Sequence, residues 1–201
     1  MNAKLALWPE ARPLEGRFVR LEPYAEPLRE ELRAALDVDP DAWAVLATSG
    51  QGQHFDAWWR VAVEQAEART RLSYAIRRLS DGALVGTTSY LNIRPAHRGV
   101  EVGGTFLQPE ARGGPVNPEM KRLMLTHAFA AGAIRVELVT DARNLRSQAA
   151  ILKLGAKAEG VQRRERITWT GHIRDTAVFA ITDLDWPEVK AGLDRRLAGF
   201  Q

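Results

Sequence analysis

The 201-residue sequence contains no cysteine. This absence excludes disulfides, thiolate metal sites and a cysteine nucleophile, so any group transfer has to proceed without a thiol on the protein. The sequence also lacks an apolar run of the roughly 18 residues that a membrane span requires, and the charges and prolines of residues 1–13 do not resemble a secretion signal. We therefore expect a soluble, cytoplasmic protein with no membrane partner.

An excess of charge of one sign is missing as well. The 28 lysines and arginines outnumber the 25 acidic residues by only three, a balance that permits an anionic ligand without favouring nucleic acid. Hydrophobic residues make up 45% of the chain and charged residues 26%, as in average globular proteins. A folded chain of this mass buries about 70% of its extended surface, so we expect one substantial core.

The chain shows no repeat, low-complexity tract or long linker, which predicts a single domain over residues 1–201. Segments of strand and helix periodicity are mixed along it and indicate an α+β domain built on one mostly antiparallel sheet. The predicted strands are 16–21, 72–78, 83–93, 100–107, 135–140, 161–169 and 174–183. The predicted helices are 27–36, 54–70, 119–131, 144–154 and 186–197.

A loop rich in glycine and proline, residues 109–118, connects the strand 100–107 to the helix 119–131. Such a loop aims backbone N–H groups and the positive end of the helix dipole at one point, which suits a phosphate group. Arg112 adds a positive charge, and Gly113 and Gly114 let another molecule approach the backbone. An ordinary surface turn before a proline-started helix would show the same pattern.

Together with this loop, several segments resemble the GCN5-related N-acetyltransferases (GNAT), specifically the RimJ/RimL-like ribosomal-protein-alanine acetyltransferase type. The resemblance runs from about Gly16 to Trp186. It rests on Arg-Gly-Gly-Pro-Val-Asn at 112–117, Asp-Ala-Arg-Asn-Leu-Arg-Ser-Gln-Ala-Ala at 141–150 and Leu-Gly-Ala at 154–156. It implies the GNAT fold: a central twisted sheet of about six to seven strands, flanked by helices and splayed at the central strand, with the core at about 16–186 and a C-terminal helix at about 186–198.

The resemblance also implies acetyl-CoA as cosubstrate and no metal. In the family, the loop pattern Gln/Arg-x-x-Gly-x-Gly/Ala cradles the pyrophosphate; here Arg112 comes first, Pro115 replaces the usual glycine and Asn117 stands last. Because proline has no N–H, we expect phosphate binding that is weaker or differently registered, with Asn117 supplying an amide or capping the helix. The implied cofactor-binding residues are Phe106, Leu107, Arg112, Gly113, Gly114, Val116, Asn117, Asn144 and Ser147.

Amine acetylation requires a base for the acceptor ammonium and a donor for the departing thiolate. Glu101, near the start of the central strand, is the predicted base, directly or through a water. His97 shares its face if the strand extends that far, and would relay a proton. Ile151 stands where many relatives have a thiolate-contacting tyrosine, and the resemblance to RimL-like members instead implies Ser147 as the acid or thiol contact, on one helical face with Asn144. The structural alternatives are a solvated His97, a capping Asn144 and a packed Ser147.

Paired glycines, Gly103 and Gly104, lie inside the central strand and indicate a bulge or the close approach of another molecule. Trp58 and Trp59 are adjacent and do not share one face of a helix, which predicts one in the core and one partly exposed. The exposed tryptophan of this pair, together with Trp43, would line the acceptor cleft, pack against other side chains of the fold, or contact a second subunit of a homodimer. The basic run at 163–166 predicts a solvated strand face or an attraction for an acidic acceptor.

The acceptor is the part that these residues leave open. The RimJ/RimL resemblance implies direct acetylation of a protein N-terminal α-amine, without a covalent enzyme intermediate. The same scaffold also acetylates polyamines, amino acids and antibiotics, so a small-molecule amine is the alternative. A non-catalytic acyl-CoA-binding domain and a nucleic-acid-associated protein are two further classes.

Overall fold

The computed structural model describes residues 9–200; residues 1–8 and 201 of the predicted domain lie outside them. Eight strands form one sheet in the order β1-β2-β3-β4-β5-β6-β8-β7, and every neighbouring pair is antiparallel except β5 and β6. The strands are β1 (Leu14–Glu15), β2 (Val19–Pro23), β3 (Leu72–Arg78), β4 (Leu84–Arg94), β5 (Gly99–Leu107), β6 (Arg135–Asp141), β7 (Lys157–Ile167) and β8 (Ile173–Thr182). The predicted α+β class and mostly antiparallel sheet are confirmed, with eight strands where about six to seven were expected.

Helices cover the two faces of the sheet unequally. They are α1 (Arg29–Leu36), α2 (Pro40–Ala44), α3 (Phe55–Glu67), α4 (Val116–Ala130), α5 (Leu145–Leu154) and α6 (Trp186–Ala198). Apolar residues of α4, α5 and α6 bury the larger core against one face, whereas α1, α2 and α3 cover a smaller core on the other face, against β3, β4 and the end of β5. No helix between residues 9 and 200 combines the length and the apolar character needed to cross a membrane.

The sheet splays between β5 and β6. These parallel strands pair only from Gly99 to Glu101, opposite Arg135 to Glu137, while β5 continues to Leu107 without β6 beside it. The predicted bulge is also present: β5 has one residue more than β4 just after Gly103, and Gly104 takes a left-handed φ of +57°. One edge of β5 is therefore free of a strand partner from the bulge onwards.

Residues 16–18 of the predicted strand 16–21 form a turn between β1 and β2, and the strand begins at Val19. The backbone N–H groups of residues 17, 18 and 19 donate to the buried Glu119 carboxylate of α4, at 2.8, 2.6 and 2.8 Å. A Cβ on Gly16 would lie only 2.3 Å from Glu119 Cδ, which is too close for any side chain, so only glycine fits there. These three hydrogen bonds to Glu119, here called the Glu119 cradle, take the place of continuous strand pairing. They fix the first turn of α4 to the edge of the sheet.

Both adjacent tryptophans of α3 are buried, so the prediction that one would be partly exposed is wrong. Tyr24 stacks on Trp59 with 4.7 Å between ring centroids and contacts Trp58 at 5.9 Å. Tyr24, which follows β2, thus covers the side of α3 that would be exposed if this helix packed against the sheet alone. Trp43 of α2 is buried as well and stacks on Phe106 at 4.5 Å. All three tryptophans pack within the fold.

Candidate active site

The loop before α4 has an open outer side. Gly113 has a φ of +80°, a conformation that favours glycine, and a Cβ at Gly113 or Gly114 would have no heavy atom within 4 Å. Helix α4 begins at Val116 rather than at Glu119, with Pro115 as its N-cap residue and no capping side chain. Asn117 lies in the first helical turn, so the alternative in which it caps the helix is wrong.

This loop also offers unpaired backbone donors. The first N–H groups of a helix have no partner within the helix, and Pro115 and Pro118 have no N–H at all. Among residues 9–200, no protein acceptor takes a hydrogen bond from the four remaining amides, those of Gly113, Gly114, Val116 and Asn117. Four free donors at the positive end of a 15-residue helix fit a pyrophosphate.

Arg112 is not a free charge in the loop. Its guanidinium forms an ion pair of 2.6 Å with Asp39 and donates to the Leu107 carbonyl oxygen, with Nε at 2.9 Å. Although burial acts against ionisation of Asp39, the hydrogen bond from Arg112 lowers the pKa of this carboxyl. The side chain therefore fastens the loop to the end of β5 and to α2, and its contact with phosphate stays a prediction.

The side chains of Phe106 and Leu107 belong to the two cores. The Phe106 carbonyl oxygen lies beside Gly86 of β4, and the Leu107 carbonyl oxygen accepts hydrogen bonds from Arg112. The edge of β5 beyond Glu101 has no partner strand. Contact of Phe106 and Leu107 with a cofactor stays a prediction, and because their side chains are buried it would be made through the main chain.

At the other side of the gap, Asn144 caps α5. Its Oδ1 accepts a hydrogen bond of 3.0 Å from the backbone N–H of Ser147, which confirms the capping alternative. Ser147 is half-buried, and its hydroxyl takes no part in the cap. Ile151, one turn further, is buried in the larger core. Helix α5 therefore brings one hydroxyl and one side-chain amide to the gap, and no tyrosine.

Glu101 is buried at the point where β5 and β6 separate, with 6% of its surface exposed. Asn92 Nδ2 donates a hydrogen bond of 2.6 Å to its Oε2. Burial raises the pKa of Glu101, and the Asn92 hydrogen bond opposes this rise. A carboxylate whose pKa is raised toward the working pH is a stronger proton acceptor, which suits a general base.

Glu101 lines a cleft of about 510 Å³ on the face of the sheet opposite α4. Glu137 of β6 stands beside it in register and accepts hydrogen bonds from Arg94 and Arg135. Although burial opposes it, these hydrogen bonds lower the pKa of Glu137. The two neighbouring carboxyls thus have pKa values displaced in opposite directions, and Glu101 is the one suited to exchange a proton.

His97 does not join Glu101. It lies exposed in a 3-10 turn, Pro95–His97, and Arg98 takes a left-handed φ of +49° before β5 starts at Gly99. The strand does not extend to His97, so the predicted shared face is absent and this part of the site is corrected. The alternative of a solvated turn histidine describes what the structure shows.

Several residues of the cleft were not predicted from the sequence. Glu137 carries a signal in retrospect, because it stands between the apolar residues Val136 and Leu138 of β6. Asn92 matches no motif, and neither does Lys121, which lies on α4 at the other face of the sheet. Of the basic run, Arg166 lines the cleft and pairs with Glu165 at 2.5 Å, whereas Arg163 and Arg164 are exposed. No group of three or more metal-ligating side chains occurs among the described residues.

The tip of the β7–β8 hairpin reaches across to the α2 region. Trp169 donates from Nε1 to the Trp43 carbonyl oxygen at 3.0 Å and from its backbone N–H to the Ala47 carbonyl oxygen at 3.2 Å. Its indole ring also contacts His54, with 5.0 Å between centroids. The last hairpin and the first helices are therefore joined beside the splay.

Comparison with known proteins places these features in one family. A model of the acetyltransferase (GNAT) domain matches residues 19–157, more than two thirds of the chain. The chain belongs to the GNAT acetyltransferase family. Members of the family transfer acetyl groups from acetyl-CoA, so the gap beside β5 and the loop before α4 are the places to test for that cosubstrate.

Solved GNAT structures resemble this one over nearly its whole length. A GCN5-related N-acetyltransferase from Brucella melitensis is 28% identical, with a TM-score of 0.86 over 95% of this chain and 87% of its own. A protein of T. thermophilus described as an acetyltransferase is 34% identical, with a TM-score of 0.84 over 94% and 99%. Mycobacterium smegmatis RimJ, in complex with CoA-disulfide, is 21% identical, with a TM-score of 0.78 over 95% and 96%, and shares the fold. No protein of curated function matches the chain at a significant level.

Proposed function

We propose that this GNAT protein is a single-domain enzyme that acetylates a primary amine directly, in a ternary complex with acetyl-CoA. Glu101 is the base in this proposal. The observation that carries it is the placement of a buried carboxylate with a raised pKa where the sheet splays, at the wall of a 510 Å³ cleft. A cytoplasmic location remains a prediction from the sequence.

The residues present fit acetyl-CoA. The loop's free amides and open glycine positions suit its pyrophosphate, and the unpaired edge of β5 suits the amide groups of its pantetheine arm. Asn144 is close to the same gap, although its oxygen is already used by the helix cap. In place of the family glycine, Pro115 removes one donor, which favours weaker phosphate binding.

On the acceptor side, Glu101 takes a proton from the bound ammonium, and the neutral amine then attacks the acetyl carbonyl carbon. Asn92 orients the carboxylate, and Glu137 stays ionised between Arg94 and Arg135. Holding both reactants in one gap makes the transfer effectively unimolecular. His97 lies outside this arrangement and has no role in the proposal.

A protein N-terminal α-amine is the acceptor that the RimJ/RimL resemblance favours. A small-molecule amine is the alternative, and the cleft supports both, since its four glutamates and three arginines leave little net charge. The lining residues of that count are Glu101, Glu137, Glu159, Glu165, Arg94, Arg135 and Arg166.

The test is an acetyl-transfer screen that follows the free thiol of CoA, with N-terminal peptides, polyamines, amino acids and aminoglycosides as acceptors. The chain has no cysteine, so it adds no thiol background. We expect acetyl-CoA to raise the melting temperature and one acceptor class to release CoA. A melting temperature that millimolar acetyl-CoA leaves unchanged contradicts the enzyme and the acyl-CoA-binding alternatives together; binding without transfer to any acceptor supports the non-catalytic alternative.

A further inference from the structure

Lys121 is a buried cation without an acidic partner. It lies on the second turn of α4, is 8% exposed, and donates from Nζ to the hydroxyl of Thr105 at 3.0 Å. That hydroxyl is also 3.0 Å from the hydroxyl of Thr88. No carboxylate of residues 9–200 forms an ion pair with Lys121. Burying an ammonium group costs free energy of desolvation, and here a single hydrogen bond to a hydroxyl offsets that cost. We therefore expect a functional reason for a lysine at this position.

The position of Thr105 places this ammonium at the splay. Thr105 follows Gly104 in the bulge of β5, on the part of the strand that has no β6 partner. Val100 and Val102 face the larger core with α4, so Glu101 between them faces the opposite side of the sheet. Lys121 and Glu101 therefore approach the bulge from opposite faces of the same strand.

We propose that Lys121 donates the proton that the departing CoA thiolate accepts. This inference rests on the proposed acetyl transfer. As the amine nitrogen bonds to the acetyl carbonyl carbon, the carbon–sulfur bond breaks and its electron pair stays on sulfur. Glu101 passes the first acceptor proton to solvent before the attack and takes the second from the same nitrogen as the amide forms. The Lys121 ammonium gives its own proton to the sulfur, directly or through the Thr105 hydroxyl. Solvent then returns a proton to Lys121 and removes the one on Glu101.

Titration of Lys121 is consistent with this role. Burial lowers its pKa to about 8, against the opposing influence of the Glu101 charge, which is the one titratable group acting on it among the described residues. Thr105 and Thr88, its other polar neighbours, are uncharged. A donor with a pKa near that of a thiol exchanges protons readily at neutral pH. Ser147 is a much weaker acid, and Ile151 has no proton to give.

The experiment compares Lys121→Met with wild type, using Lys190→Met on α6 as the matched control. Two acyl donors are used: acetyl-CoA and the acetyl thioester of p-nitrothiophenol, whose thiolate leaves without needing a proton. With acetyl-CoA we expect kcat of Lys121→Met to fall by about a hundredfold or more, with KM for acetyl-CoA within a few-fold and the basic limb of the kcat profile lost. With the aryl thioester we expect a loss of no more than a few-fold.

Three outcomes overturn the inference while leaving the proposed function intact: unchanged kcat, an unchanged basic limb, or equal losses with both thioesters, which would indicate a merely structural role. Lys121→Arg keeps a charge but not a proton that it can release at neutral pH, so it should show the same loss and serves if the methionine variant fails to fold. If wild type itself transfers no acetyl group, the proposed function is wrong and this inference falls with it.

Discussion

A Cβ atom on Gly103 would lie 2.6 Å from Oε1 of Glu101. The missing side chain at residue 103 is thus the space in which the carboxylate rests. Glycine within a strand weakens it, so its presence here reflects the close approach of another group. In this protein the approaching group is the proposed base itself, lying over its own strand next to the bulge.

Gly103→Ala should displace the Glu101 carboxylate. We expect kcat to fall by more than about tenfold, while the free energy of unfolding changes by at most about 2 kcal/mol, since overpacking one methyl costs that order. Steady-state kinetics and urea denaturation measure the two effects. Gly192→Ala on α6, where a Cβ meets only an arginine end at 3.9 Å, is the control. Unchanged kcat in Gly103→Ala would show that the carboxylate position is not critical.

Glu101→Gln should abolish base catalysis and preserve cofactor binding. We expect kcat to fall by roughly 10²–10⁴-fold, with the acetyl-CoA-induced rise in melting temperature retained. The sign of the pH dependence follows from the raised pKa of Glu101: wild-type activity increases with pH as the carboxyl ionises, over a range above its usual pKa of 4.5. The variant should lack this limb. Glu64→Gln, on the exposed side of α3, is the control, and equal turnover of both variants would clear Glu101 of the role.

Asn92→Gly should move the acid limb of the profile. Asn92 has a left-handed φ of +48°, which glycine adopts without strain, so the change removes the side-chain amide and little else. The Asn92 hydrogen bond lowers the pKa of Glu101, so its loss raises that pKa and shifts the limb to higher pH. A pH profile of kcat/KM checks this. A shift to lower pH, or none, would contradict the assignment of the limb to Glu101.

Glu119→Gln should destabilise the fold. One carboxylate accepts three backbone N–H groups, and a glutamine turns an NH₂ group toward at least one of them. We expect a loss of about 3 kcal/mol in the free energy of unfolding, measured by urea denaturation. Gly16→Ala should act on the same contact, so the double variant should lose less than the sum. Glu188→Gln, exposed on α6, controls for the charge; fully additive losses would argue against a shared cradle.

Pro115→Ala should strengthen binding of CoA. The φ of −75° suits alanine, and the substitution returns an N–H to the loop. A charge-assisted hydrogen bond contributes about 1.5–3 kcal/mol to binding. Losing proline lowers the free energy of unfolding by about 0.4–1 kcal/mol through the unfolded chain and leaves the binding equilibrium of the folded protein unchanged. We therefore expect the Kd for CoA, measured by calorimetry, to fall about fivefold or more. An unchanged or higher Kd would place the phosphates elsewhere.

The strands and long helices could be predicted because their signals are local. Periodicity predicted β3, β4, β5 and α6 within a residue or two of their observed ends. The adjacent Gly103 and Gly104 predicted the bulge at Gly104. The five-residue helix α2 carries no period long enough to detect. The burial of Trp58 and Trp59 depends on Tyr24, whose position is set by tertiary packing rather than by the sequence of α3.

The site divides in the same way. The loop, Asn144 and Glu101 were found because they lie in contiguous motifs or at a strand position that the resemblance marks. Arg112 has the predicted location but an unforeseen partner, since Asp39 is 73 positions away and no spacing rule connects them. His97 was misplaced because a turn ends before β5 begins, and Lys121 was missed because its significance comes from what it lacks: a neighbouring carboxylate.

The strand order determines when during synthesis each part of the sheet finds its partner. One edge of β6 is covered by β8, and the hydrogen bonds that join the carbonyls of Trp43 and Ala47 to the last hairpin come from Trp169. During synthesis from the N-terminus, these partners emerge last. A nascent chain that stops before residue 169 therefore exposes the edge of β6 and leaves the carbonyl oxygens of Trp43 and Ala47 without these donors. A bare strand edge promotes aggregation. The β7–β8 hairpin therefore completes two regions at once: the edge of β6 and the region around α2.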